Sequence, residues 1–158
     1  MKDASQNDDQ KKYHFLFMLS AEKALIENDK NHCHLILEGV DEKLLFMTAR
    51  PGRTRAFMSA ATFLNNWKEN PNVFLAHPPR VALIDSAMPT DGDGIAKAAE
   101  IALKNPVLLQ NGHWQFDLKF LENTLEGIHP DAILMIDWPA ALPCPPAIKI
   151  QVPSLILE

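Results

Sequence analysis

Apolar and polar positions alternate with a period of two through much of this chain, the pattern of strands that bury one face. The clearest case is Trp114, Phe116, Leu118 and Phe120, separated by Gln115, Asp117 and Lys119, which predicts a half-buried strand over residues 113–121. Phe15, Leu16, Phe17, Met18 and Leu19 open the apolar part of the chain and predict a first strand. The segment 21–27 that follows fits either a continuation of that strand or a short helix opened by Ser20. Asn28, Asp29, Lys30 and Asn31 then break the pattern. Residues 32–38 predict a second strand, 39–42 a turn and 43–48 a third strand. Short apolar runs separated by a few turn residues point to an antiparallel meander. Later strands are expected at 81–84, after the extended entry set by Pro78-Pro79, and at 132–136. Ile148, Ile150 and Val152 alternate with Lys149 and Gln151, so an edge strand closes the pattern, with Pro153 blocking one ladder position.

One helix interrupts this order. Ser59 is placed to cap residues 60–69, Phe63 and Trp67 lie four apart on one face, and Asn70-Pro71 ends the pattern. The apolar stripe is narrow, as for a helix lying on a sheet. Residues 95–109 fit two periods. Ile95, Ala98, Ala99, Ala102 and Leu103 keep helical spacing, yet Ile101, Leu103 and Val107 also suit a strand kinked at Asn105-Pro106. A hairpin across Gln110, Asn111 and Gly112 into the strong 113–121 strand favours the strand for 99–105. The expected fold is therefore mainly β, bordering on α+β: an antiparallel β-sandwich or bent sheet of about seven to eight strands with one short helix. Residues 1–12 read as a disordered tail without apolar anchors, and 13–158 as a single domain.

Composition narrows the function classes. With 158 residues, 47% hydrophobic and 22% charged, the chain is long enough for a core of its own and ordinary for a globular domain. A net charge of −5 argues against nucleic-acid binding by bulk charge. No stretch is apolar for the roughly 18 residues of a membrane span. Lys11-Lys12 and the run behind it are too short, and interrupted by His14, to read as a signal peptide. The expected location is cytoplasmic, or outside by a signal-independent route. Cys33 and Cys144, 111 positions apart, fit either two buried thiols or one long-range disulfide.

The charge is uneven, and that singles out a region. Residues 1–80 carry 11 basic and 10 acidic side chains, while 81–158 carry 4 and 10. All four arginines, Arg50, Arg53, Arg55 and Arg80, fall within 50–80. Guanidinium forks suit carboxylates and phosphates, and Arg50-Pro-Gly-Arg-Thr-Arg55 reads as lying between a strand and a helix N-terminus, where anions are favoured. Two uses compete: pairing with the acidic second half of the same chain, or contact with an anionic small molecule or acidic protein surface. His32 and His34 share one face of the second strand, the beginning of a metal site if further ligands join them from His113, His77 or Glu38. Asp91-Gly-Asp-Gly94 resembles a calcium loop, but Ala96 and Ala102 stand where an EF-hand needs glycine and an acid, and turn chemistry accounts for it. Asp85, Asp117 and Asp137 near strand ends could supply paired carboxylates, but isolated acids at strand ends are usually solvated or cap turns. Trp67 and Trp114 are expected in the core, whereas Trp138, opening a segment with four prolines in 139–146, is a candidate contact residue. Nucleophile elbows and phosphate-binding glycine loops are absent from the sequence, and no cofactor is predicted.

Leu37-Glu-Gly-Val40, Arg50-Pro-Gly-Arg53, Phe63, Trp67, Phe74 and Pro78-Pro79, with Asn105-Pro106 and the 114–121 strand behind them, resemble a family of small uncharacterised bacterial proteins. The shared pattern is a glycine turn, an apolar strand, an Arg-Pro-x-Arg strand end, a short Phe-x-x-x-Trp helix, and a proline pair leading into a strand. Members are often secreted. The resemblance supports a strand over 99–105 and supplies neither reaction nor ligand. The expectation for function is a non-catalytic binding module, contacting its ligand or partner through Arg50, Arg53, Arg55, Arg80 and Trp138. The competing expectation is a metal-dependent β-barrel-type enzyme using His32 and His34.

Overall fold

The computed structural model describes residues 15–29, 32–48, 54–121 and 125–137. Eight strands and two helices follow in the order β1 (Phe15–Asn28), β2 (Cys33–Val40), β3 (Lys43–Thr48), β4 (Thr54–Ser59), α1 (Ala60–Lys68), α2 (Pro71–Ala76), β5 (Arg80–Ile84), β6 (Ala99–Leu108), β7 (Trp114–Phe120) and β8 (Gly127–Asp137). All pairings are antiparallel, in the order β2-β7-β6-β5-β8-β1-β3-β4, with a further pairing of β2 to β1. That last pairing closes a ring of six, β1-β2-β7-β6-β5-β8.

The expected β-sandwich is thus corrected to a six-stranded barrel, and the reason lies in β1. This strand has 14 residues. Along one edge it pairs with β8 from Leu16↔Asp137 to Ile26↔Gly127. Along the other, its first part pairs with β3 (Phe15↔Thr48 to Met18↔Leu45) and its second with β2 (Ala21↔Val40 to Asn28↔Cys33). One long strand therefore closes the barrel and carries β3 and β4 as a flap.

The strand also changes face part-way. Phe15, Phe17, Leu19 and Ala21 are buried in its first part, Ala24 and Ile26 in its second, so the inward set moves from odd to even positions around the exposed Glu22 and Lys23. In the neighbouring strands Gly39 (φ 66°) and Asp131 (φ 50°) have left-handed backbone at the same level. The positive φ favours glycine at this crossing point, and a Cβ there would also displace the exposed Glu22 side chain, 2.7 Å away.

The barrel is filled, not hollow. Phe17, Leu19, Leu35, Leu37, Leu83, Ile101, Leu103, Phe116 and Leu134 are all 0% exposed, and each such side chain contributes about 1.5–3 kcal/mol by burial. α1 lays its apolar face across the interior. The Phe63 ring centroid is 4.8 Å from Phe17 of β1, and that of Trp67 is 5.4 Å from Phe116 of β7. Ser59 caps the helix as expected, accepting from Thr62 N at 3.1 Å. Pro71 ends that pattern and opens α2, whose Phe74 stacks on Trp67 at 4.8 Å.

The strands expected at 15–19, 32–38, 43–48, 81–84, 113–121 and 132–136 are present, and the ambiguous stretches 21–27 and 99–105 are both strand. β4 and α2 lie in stretches to which the hydrophobic pattern assigned neither strand nor helix. β4 carries a correction with it. Arg55 lies inside this strand, four residues before the cap Ser59, so it does not stand at the helix N-terminus. The tail 1–12, Arg50, Arg53, Trp138 with the proline-rich stretch, Cys144 and the strand expected at 148–152 lie outside the described residues.

Candidate functional site

Where β6 pairs with β7 the register shifts between Lys104 and Val107. Asn105 takes a left-handed backbone (φ 55°) in that bulge and donates from Nδ2 to Asp117 Oδ2 at 2.7 Å. Asparagine adopts this conformation at lower cost than other side chains with a Cβ. The bulge leaves Val107 46% exposed, opposite the two helices. Those helices are joined by a tight turn. Glu69 N donates to Asn65 O at 2.9 Å, Asn70 N to Trp67 O at 3.2 Å, and Asn70 Nδ2 to Asn66 O at 2.8 Å.

Between turn and bulge lies a half-open groove of about 250 Å³, lined by Trp67, Lys68, Pro71, Phe74, Leu75, Lys104, Asn105, Pro106 and Val107. Its floor is aromatic and its walls aliphatic, with Leu75 52% exposed. The only charged side chains in that lining are Lys68 and Lys104. An apolar concavity with a few polar groups is the usual form of a small-molecule site.

Of the sequence-predicted contact residues, Arg55 and Arg80 are described. Arg55 is exposed on β4 opposite Met47. Arg80 opens β5 and contacts Glu100 Oε2 at 3.1 Å, with both side chains well exposed, so the pair adds little. It is nonetheless one arginine paired with the acidic half of the chain. β3, β1 and β8 stand between Arg55 and Arg80, four strand spacings or about 19 Å.

His32 and His34 have near-parallel rings 6.0 Å apart. His34 Nδ1 lies 3.3 Å from Asp117 Oδ1, its register partner on β7, and His113 Nε2 lies 3.9 Å from Glu38 Oε1. These are separate pairs. Among the described residues no three His, Cys, Asp or Glu side chains are grouped to hold a metal ion. Asp91 Oδ1 accepts from Asp93 N and Ile95 N at 2.8 and 3.0 Å, which makes its loop an Asx-type turn. Cys33 is a free, half-buried thiol, its pKa raised first by burial and then by the Glu126 carboxylate.

A contact that sequence reasoning missed joins Asp85, at the end of β5, to His129 of β8. Asp85 Oδ2 is hydrogen-bonded to His129 Nδ1, while Asp85 Oδ1 accepts from Ala87 N at 2.7 Å. The Asp85 side chain is 1% exposed. Ser86 Oγ turns away, donating to Asp131 Oδ2 at 3.1 Å, so the three residues do not form a nucleophilic relay. The pair fastens two barrel strands. Its partners are 44 positions apart, and no motif marks them.

Compared with known proteins, the chain matches no family, no curated protein and no solved structure. The functional reading therefore stands on the geometry.

Proposed function

We propose that the protein is a binding module that takes a small apolar ligand bearing an anionic group in the groove between α1, α2 and the β6 bulge. One observation carries this reading: an aromatic and aliphatic concavity whose charged lining consists of two lysines and no carboxylate. Leu75 and Val107, both well exposed, offer area for an apolar body above the buried Trp67 and Phe74, and either ammonium can meet the anion as a point charge at the rim. Trp67 and Phe74 are held stacked in the core, so the floor is formed before a ligand arrives.

Two fluorescent probes with the same aromatic body separate the contributions. Anilinonaphthalene sulfonate carries an anion, and N-phenylnaphthylamine lacks it. The sulfonate is expected to bind saturably at one site and about tenfold more tightly than the neutral probe, equivalent to about 1.4 kcal/mol. Lys68→Gln with Lys104→Gln is expected to remove that preference with little change in the thermal midpoint, because both side chains are exposed and no like charge is set against Asp117. Equal affinity for both probes, or no binding, would overturn the reading.

A further inference from the structure

Six strands of the barrel have both edges paired, and β3 lies between β1 and β4. β4 is different: among the described residues it pairs with β3 alone, leaving an open edge of six residues. Open edges are ordinarily guarded by proline, by a bulge, by charged side chains or by a covering element. β4 has neither proline nor an irregular register with β3, and Arg55 is its one charged side chain. Its residues read Thr54-Arg-Ala-Phe-Met-Ser59, and Phe57 is 66% exposed, the largest value among the exposed large apolar side chains.

The chemistry of this edge is symmetric about Phe57. Arg55 and Ser59 are the polar flanks, and Ala56 and Met58 the apolar positions between. An antiparallel neighbour related by a two-fold axis through Phe57 would set Arg55 against Ser59 of the partner subunit and Ala56 against Met58 of the partner subunit. The two Phe57 rings would meet at the axis. No like charges oppose one another, and a small side chain faces a large one. Phe57 also begins an outward-facing apolar row across the wall: it pairs with Leu45, Leu45 with Met18, Met18 with Met135, and Met135 with Ala82.

We propose that two copies of this chain associate edge to edge through β4, antiparallel and centred on Phe57. Pairing of this kind is isologous, so it closes at two copies and leaves no edge to propagate. Six residues of edge form less than a standard interface, so the dimer is weak, with a dissociation constant on the order of 10 µM.

Sedimentation of the full chain across that concentration range tests the proposal. The expected mass rises from 17.7 kDa toward twice that value. Phe57→Lys, which sets two ammonium groups on the axis, is expected to give a folded monomer at all concentrations. Ser59→Asp keeps a good helix cap and places a carboxylate against Arg55 of the partner subunit, so it is expected to tighten the dimer about fivefold. A wild-type protein that stays monomeric overturns the proposal, as does a dimer that Ser59→Asp leaves unchanged or weakens. The second variant decides the matter even if Phe57→Lys fails to fold.

Discussion

Asp85 shows how much a single side chain can fix in this protein. Its carboxylate is almost wholly shielded from water and divides its two oxygens between His129 Nδ1 and Ala87 N. A buried acid left without partners is costly, and so is a largely covered imidazole from which the acid has been removed. Asp85→Ala is therefore expected to destabilise the barrel by about 2–3 kcal/mol, read as a lower midpoint in urea with an unchanged slope. A loss under about 0.5 kcal/mol, the range of ordinary surface changes, would show that the pair does not fasten β5 to β8. Lys68 and Lys104 stand at the other extreme, exposed and available to a ligand rather than bound into the fold.

The β6 bulge is the element on which the groove depends. Asn105 supplies both a left-handed backbone and a hydrogen bond to Asp117, and removing either has a different expected effect. Asn105→Gly keeps the conformation and loses the side-chain bond, so thermal stability is expected to change by less than about 1 kcal/mol. Asn105→Val forces a β-branched side chain into the left-handed region and is expected to cost about 2 kcal/mol or more. Calorimetry of the two variants ranks them. Equal losses would contradict the role given to backbone conformation.

Elements with one clean period were legible in the sequence. Trp114 to Phe120 alternates without a fault and is a strand of the barrel wall, and Ser59, Phe63 and Trp67 announced α1 with its cap. β1 was only half legible. Its inward face changes parity near Glu22, so the second half no longer continued the pattern of the first, and a helix fitted as well as a strand. β4 was obscured because Arg55 and Ser59 flank only three apolar residues.

For the whole molecule, the step from strands to barrel could not be read from periodicity, because alternation records which face is buried and not which strand lies beside which. Closure depends on β1 meeting β2 and β8 at once, contacts made by residues as far apart in the chain as Leu16 and Asp137. The candidate site was hidden for the same reason. Trp67 was read as a core anchor, and that is correct: the ring is buried among Phe63, Phe74 and Phe116. What makes the groove is its meeting with Lys104 and Val107, brought from a different strand. Charge counting pointed instead to the arginines. Of the two arginines described, the fold sets Arg55 and Arg80 on strands four spacings apart.

The most direct measurement is amide chemical-shift mapping of the isotope-labelled protein during titration with anilinonaphthalene sulfonate. A ligand seated in the groove shifts the amides of residues 67–76 and 104–108 most strongly and saturates with one affinity. Shifts confined to residues 49–55 would place the anion on the arginine-rich connection and contradict the groove, and the absence of saturable shifts would contradict binding altogether.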